Sequence, residues 1–257
     1  MDTISVRYVG GPTAVLGLGG LRLLTDPTFD PPGEHPIGGT RVLTKTAGPG
    51  VSPEEIGPVD AVLLSHDQHP DNLDSSGREL LGTVPLVLST ASARERLGEQ
   101  VTVLADEATY ALARPGGGEL RVTGVPARHG PEGCEPLVGE VTGFVLGGEG
   151  LPTVYVSGDN ASLDVVRTVA DRHGPVDVAL LFAGAARTAL FDGAPLTLTS
   201  TDAAEAAKIL GAGQVVPLHF EQWGHFSEGR APLREAFAAA GLADRTHLLG
   251  LGDTVTL

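Results

Sequence analysis

The side chains best suited to chemistry lie in one short segment, residues 63–74, which reads LLSHDQHPDNLD. Apolar residues lead directly into two histidines, His66 and His69, and a carboxylate, Asp71. Imidazole nitrogens and carboxylate oxygens are the ligands that zinc and related divalent metals take from proteins. Their density at the end of an apolar strand predicts a metal site.

Four further polar residues directly follow apolar segments elsewhere in the chain: Asp26, His129, Asp159 and His219. The ends of strands are rigid, and metal ligands must be held in place with little error. Singly, His129 is more often a hydrogen-bonded structural residue, and Asp159 more often caps a turn or a helix. Six residues delivered in this manner are better explained as one metal site: His66, His69, Asp71, His129, Asp159 and His219.

The chain resembles the metallo-β-lactamase-fold hydrolases in these motifs and in their order. The matching segments are LTDP at 24–27, HDQHPDN at 66–72, His129, SGD at 157–159 and PLH at 217–219. The first segment is typical of the branch that includes ascorbate-phosphate lactonase-like hydrolases. The resemblance implies a four-layer αββα sandwich with one or two metal ions, usually zinc or manganese, at the sheet edges.

The chain departs from the family signature His-x-His-x-Asp-His at two positions. Gln68 stands where the second histidine belongs, and Asn72 replaces the last one. With one residue inserted, the resemblance implies a first site of His66, His69 and His129, a bridging Asp159, and a second site of Asp71 and His219. Because an amide is a weak ligand, the second site should bind metal less tightly or prefer harder metals. The rival alignment places Gln68 in the first site, which ligand chemistry favours less.

The elements that must position these residues are strands, followed by alternating strands and helices, in both halves of the chain. Apolar patterns and turn residues predict strands at 4–9, 13–18, 21–25, 59–65, 86–89, 101–104, 109–113, 120–125, 142–146, 153–157, 176–182, 214–218 and 253–257. They predict helices at 53–56, 75–81, 91–97, 162–173, 199–210 and 231–240. This order predicts an α/β fold: residues 1–257 form one domain, an αββα sandwich of two mixed sheets with outer helices. The long loop 26–58 and the segment 187–198 are predicted to line the pocket.

The composition of the chain limits the classes of partner and the cellular locations that we expect for it. The formal net charge of −15 disfavours nucleic acid and anionic membranes, which would repel the chain. The single cysteine, Cys134, cannot form an intrachain disulfide, and the start of the chain lacks the pattern of a signal peptide. We therefore expect a cytoplasmic protein that acts on a small molecule, with its oligomeric state open.

The leading hypothesis for function is a hydrolase that uses a metal-activated water on a small ester, lactone or phosphodiester. A divalent metal, zinc with manganese or iron as alternatives, lowers the pKa of bound water to about 7. We assign catalytic roles to Asp71, which would orient the water or protonate the leaving group, and to His225, which would stabilise an oxyanion or contact the substrate. A packed loop position is an equal alternative for His225.

Two further hypotheses come from the departures and from the fold. Because of Gln68 and Asn72, the chain could be a degenerate member that binds metal or ligand without turnover. An iron-dependent oxidation on the same fold is the third. Among other polar residues, Asp67 and Asp74 are candidates to orient histidine rings, with a helix cap favoured for Asp74.

Overall fold

The computed structural model describes residues 3–257, whose strands and helices follow the predicted order. These residues form the strands β1 (Ile4–Gly10), β2 (Thr13–Leu18), β3 (Leu21–Thr25), β4 (Gly33–Pro36), β5 (Val42–Lys45), β6 (Ala61–Leu63), β7 (Val87–Ser89), β8 (Val101–Val103), β9 (Thr109–Ala113), β10 (Glu119–Pro126), β11 (Thr142–Gly147), β12 (Val154–Val156), β13 (Val178–Phe182), β14 (Gln214–Leu218) and β15 (Thr254–Thr256). They also form the helices α1 (Pro53–Ile56), α2 (Ser75–Leu81), α3 (Ala91–Leu97), α4 (Glu135–Val138), α5 (Leu163–His173), α6 (Ser200–Ile209) and α7 (Arg230–Ala239). Short 3-10 helices cover Leu190–Gly193 and Ala243–Arg245.

The strands form two mixed sheets and a separate hairpin. The first sheet has the order β15-β1-β2-β3-β6-β7-β8, antiparallel as far as β3 and parallel from β3 to β8. The second has the order β14-β13-β12-β11-β10-β9, with β12 to β14 parallel and the remainder antiparallel. In these patterns β3 and β6 end at one edge of their sheet, and β10, β12 and β14 end at one edge of theirs.

Three apolar layers hold the sandwich together. The inner faces of the two sheets meet in one core, in which Leu16 of β2 and Phe144 of β11 are both buried. The outer face of the second sheet packs on α5, α6 and α7 through residues such as Val166 and Leu233. The outer face of the first sheet packs on α1 and α2. The predicted αββα sandwich is confirmed.

Besides the two short 3-10 helices, the structure adds a hairpin and a helical turn that the sequence did not predict. The first is the hairpin β4–β5 inside the predicted loop 26–58, and the second is the single turn α4. The hairpin strands, GEHP and VLTK, are largely exposed and carry a proline, so local propensity for a strand is weak. Only Leu43 and Lys45 of β5 are buried, and their packing depends on residues far away in the chain.

No helix in residues 3–257 is both long enough and apolar enough to cross a membrane.

Candidate metal centre

The six residues predicted as metal ligands converge at the edge where β6, β10, β12 and β14 end. Their ligand atoms form two groups, each with all atoms within 4.8 Å of one another: His66, His69, His129 and Asp159 in the first, and Asp71, Asp159 and His219 in the second. Asp159 belongs to both groups. The inserted-residue alignment of the sequence predicted the same two groups with the same shared carboxylate.

The backbone is constrained where two of these side chains leave their strands. Gly158, which precedes Asp159, has a φ of 54°, and a Cβ there would lie 2.6 Å from the Thr142 carbonyl oxygen. His219 adopts a φ of 56°, and its N–H donates to the Gly11 carbonyl at 2.6 Å. A left-handed non-glycine residue costs about 1–3 kcal/mol. Such strain persists where the surrounding structure fixes a side chain in place, here the imidazole of His219.

The first group presents three ring nitrogens to one point. His69 Nδ1 lies 3.0 Å from His66 Nε2 and 3.2 Å from His129 Nε2. Tetrahedral zinc with nitrogen ligands at 2.0–2.1 Å places ligand atoms about 3.3 Å apart. His129 Nδ1 donates to the Leu196 carbonyl at 2.7 Å, so the lone pair of its Nε2 faces the group. The spacing and the fixed tautomer of His129 suit a divalent metal.

The second group contains buried oxygens without a protein donor. His219 Nε2 lies 3.4 Å from both Asp71 Oδ2 and Asp159 Oδ1. Asp71 Oδ1, Asp159 Oδ2 and Asn72 Oδ1 are buried and accept no hydrogen bond from residues 3–257. Buried polar atoms are rarely left without a partner, because the loss of hydration is costly. A cation between these oxygens would satisfy them, so the donor set fits a bound metal ion.

Electrostatics keep the rings of His66 and His69 neutral and both carboxylates ionised, as ligation requires. Burial lowers the pKa of His66 well below its usual range and that of His69 to about 4, so both rings are neutral at pH 7. Burial would raise the pKa of Asp71 and Asp159, but neighbouring histidines, above all His225 and His219, hold both well below the usual range. Burial would lower the pKa of His219, yet the two carboxylates raise it to about 10.

The two positions at which the chain departs from the family signature are now placed. Gln68 lies outside both groups and packs against Gly139, with its Oε1 buried and without a partner, while His69 occupies the first group. Asn72 is fully buried beside the second group, and its Nδ2 donates to Asp159 Oδ1 at 3.2 Å. The geometry therefore favours the alignment with His69 over the one with Gln68.

The second residue predicted to be catalytic, His225, stands beside the second group. Its Nε2 lies 3.0 Å from Asp71 Oδ2, and the ring lines the cavity above the ligands. The neighbouring Trp223 is buried beneath the β4–β5 hairpin against His35 and Lys45.

The other aspartates near the centre have supporting roles. Asp26 lies behind the first group, where its Oδ1 accepts the Ser65 N–H at 2.6 Å and burial raises its pKa to about 8. Asp67 was a candidate to orient a histidine ring, but its carboxylate pairs with Arg96 at 2.6 Å. Asp74 caps α2, as favoured from the sequence, and also pairs with Lys45.

A cavity of about 340 Å³ opens over both groups. Its floor contains His69, Asp71, His129 and His225, and its walls come from the β4–β5 hairpin, from α4 and from residues 186–196. Both segments predicted to line the pocket contribute. Two cavity residues, Arg41 and Arg96, were not predicted, because the hairpin was not predicted and because Arg96 lies on a helix of ordinary composition.

Comparison with known proteins supports the interpretation of the two groups as a metal centre. A model of the beta-lactamase superfamily domain matches residues 21–220. The UPF0173 metal-dependent hydrolase of Methanosphaerula palustris is 30% identical over 69% of this chain and 75% of its own length, and that of Pyrococcus furiosus is 26% identical over 66% and 71%.

Solved structures show the same fold. A possible metal-dependent hydrolase from Veillonella parvula superposes with a TM-score of 0.83, 18% identity and complete coverage of both chains. The isothiocyanate hydrolase from Delia radicum gut bacteria superposes with a TM-score of 0.80 and 23% identity over 98% of each chain.

Proposed function

The chain belongs to the beta-lactamase superfamily and, within it, to the UPF0173 family of metal-dependent hydrolases, and we propose that it hydrolyses a small ester, lactone or phosphodiester with a metal-activated water. The observation that carries this proposal is the convergence of six ligand-type side chains, of which His69, Asp71 and His129 line the floor of the cavity. Neutral imidazoles beside buried carboxylate oxygens that lack a donor are the arrangement a divalent cation requires.

The two groups differ in the metal they would hold. His66, His69 and His129 offer three nitrogens, which suit zinc. The second group offers two carboxylates and one imidazole, with the amide of Asn72 beside them, a set richer in hard oxygen ligands. We therefore propose a tightly bound zinc in the first site and a weaker second site that also accepts manganese or iron.

The chemistry divides between the metal and two residues of the chain. A bound divalent ion lowers the pKa of water to about 7 and polarises a carbonyl or phosphoryl oxygen. Asp71 orients the attacking water or passes a proton to the leaving group. His225, in contact with Asp71 and lining the cavity, stabilises the developing oxyanion or contacts the substrate.

The walls of the cavity favour organic substrates with an apolar part. Most wall residues are apolar, among them Leu43, Val138, Leu190 and Leu196. Carboxylic esters and lactones suit these walls better than a phosphodiester does. An isothiocyanate, the substrate named for one structural neighbour, is also small and apolar and belongs among the compounds to be tested. We also propose a cytoplasmic location, which the single buried Cys134 suits.

The first test is metal content, measured by elemental analysis on protein purified without chelator or added metal. The wild type is compared with His69→Ala and with Gln68→Ala, the neighbouring position of the rival alignment. We expect wild type and Gln68→Ala to hold the same metal and His69→Ala to lose the first-site ion. Loss in Gln68→Ala alone would favour the rival alignment.

The second test is turnover by the metal-loaded protein on nitrophenyl esters, lactones, a phosphodiester and an isothiocyanate. We expect hydrolysis of at least one class, abolished by Asp71→Ala. Metal bound without cleavage of any compound, together with a ligand that raises the thermal midpoint, would instead support a binding protein without turnover. No metal after reconstitution would overturn the proposed function.

A further inference from the structure

One cationic side chain of the cavity has no partner among residues 3–257. Two arginines line the cavity, and Arg96 already pairs with the buried Asp67, which contacts it through both carboxylate oxygens. Arg41 forms no ion pair or side-chain hydrogen bond with any residue in 3–257. Among the described residues that line the cavity, the only carboxylate is that of Asp71, a proposed metal ligand. The charge of Arg41 is therefore available to a bound molecule.

The position of Arg41 is fixed by its hairpin. Its backbone closes the turn between β4 and β5, where its carbonyl accepts the Ile37 N–H at 3.0 Å and its N–H donates to the Gly38 carbonyl at 3.2 Å. Arg41 and Leu43 both line the cavity, as expected for alternate residues on one face of a strand. Two residues further along the same face, Lys45 is buried and its Nζ pairs with Asp74 at 3.0 Å.

The base of the hairpin is joined to the loop that carries His225. The Thr46 N–H donates to the Gln222 carbonyl at 2.7 Å, and the Gly224 N–H donates to the Thr44 carbonyl at 2.9 Å. These bonds set the wall that bears Arg41 against the segment that places His225 over Asp71. The backbone that carries Arg41 is therefore held in a defined place relative to the loop of His225.

We propose that the substrate carries an anionic group remote from the bond that is cleaved, and that Arg41 binds this group. The inference rests on the proposed hydrolase function and names its substrate class: a small ester or lactone with an apolar middle part and a terminal carboxylate. The apolar part lies against wall residues such as Leu43 and Leu196, and the carboxylate meets the guanidinium. In a chain of net charge −15, this local cation also favours the approach of an anion to the cavity.

The test uses two probes of equal length that do not depend on turnover. The monoanilide of adipic acid carries a terminal carboxylate, and hexananilide ends in a methyl group. Calorimetric binding to the metal-loaded protein is compared for wild type, Arg41→Gln and Arg121→Gln. Arg121, on β10, is exposed, lies outside the cavity and makes no ion pair within the described residues. Arg121→Gln therefore removes the same charge at a position away from the cavity.

We expect the wild type to bind the carboxylate probe about two- to fivefold more tightly than hexananilide, a preference of the size an exposed charge pair supplies. Arg41→Gln should abolish the preference, Arg121→Gln should retain it, and added salt should weaken it. Equal binding of the probes, an equal loss of both in Arg41→Gln, or no binding of either would overturn the proposal.

A parallel kinetic comparison separates this inference from the function on which it rests. The substrates are mono-p-nitrophenyl adipate and p-nitrophenyl hexanoate, and the same three proteins are used. We expect kcat/KM for the adipate alone to fall in Arg41→Gln. If neither ester is cleaved while the binding preference holds, the proposed ester hydrolysis fails and the role of Arg41 in binding the anionic group stands. If both esters are cleaved with an unchanged ratio in Arg41→Gln, the role of Arg41 fails.

Discussion

Asn72 donates its amide to Asp159 Oδ1 across 3.2 Å, at the position where the family signature carries a metal-binding imidazole. The amide nitrogen of Asn72 donates to the shared carboxylate, and its own Oδ1 is buried and has no hydrogen-bond partner within residues 3–257. The second site therefore keeps its geometry while it loses a nitrogen ligand. Asn72 therefore adds to the difference between the two groups, of which the second already has two carboxylates and one imidazole.

Asn72→His should strengthen the second site. An imidazole is a better ligand for zinc than a neutral amide, so we expect zinc affinity there to rise on the order of tenfold. Competition with a chromophoric chelator measures the affinity. Asn72→Ala, which removes the amide without adding a nitrogen ligand, serves as the control and should not tighten binding. A histidine variant that binds zinc no better than wild type would contradict the inequality of the sites.

Asp159→Asn should affect both metal sites, whereas His219→Ala should affect only the second. The reason is that Asp159 belongs to both groups of ligand atoms and His219 to one. Elemental analysis after dialysis should show less metal in Asp159→Asn than in His219→Ala. The exposed Asp164→Asn, which removes a carboxylate from the surface of α5, should leave the metal content unchanged. Equal losses in the two site variants would show that Asp159 does not serve both sites.

Asp26 should make stability depend on pH. Its folded-state pKa is raised by burial to about 8, above the unfolded value of about 3.9. The folded state then binds a proton that the unfolded state releases, so this contribution is fully present below about pH 4 and is lost as the pH rises through about 8.

Urea unfolding of wild type and Asp26→Asn at pH 5 and pH 8.5 measures this effect. The asparagine keeps an oxygen to accept the Ser65 N–H and cannot ionise. From pH 5 to pH 8.5, the free energy of unfolding of Asp26→Asn should rise relative to that of wild type by about 2–5 kcal/mol, because only the wild type loses the contribution of the protonated carboxyl. The same difference at both pH values would show that the carboxyl of Asp26 does not titrate in this range.

Local patterns predicted most of the fold and all six converging residues. The helices over 75–81 and 91–97 begin and end where expected, because Asp74 and Thr90 cap them and glycines end them. These six residues could be found because each lies at the end of an apolar strand or in the loop after it, and the sheets bring those strand ends together. The expectation that residues 1–257 form one domain stays a prediction. Residues 1 and 2 lie outside the described part of the chain.

The walls of the cavity could not be predicted in the same manner. The β4–β5 hairpin has little strand propensity, and it is held by contacts with residues more than a hundred positions away, such as the bonds from 44–46 to the loop at 222–224. The hydrophobic pattern of residues 33–45 cannot predict such long-range contacts. Arg41 therefore carried no signal in the sequence, although it lines the cavity.

Lys45→Met should destabilise the protein strongly. The Lys45–Asp74 pair is almost completely buried, with side-chain exposures of 1% and 0%, and removal of the cation leaves the Asp74 carboxylate uncompensated. Breaking a buried pair in this manner costs about 3–5 kcal/mol. Arg167→Gln, which breaks the exposed Arg167–Asp164 pair, should cost less than about 1 kcal/mol. Urea unfolding monitored by Trp223 fluorescence compares the two variants. Equal, small losses would mean that the base of the hairpin is held by its backbone bonds alone, and that the position of Arg41 does not depend on the buried ion pair.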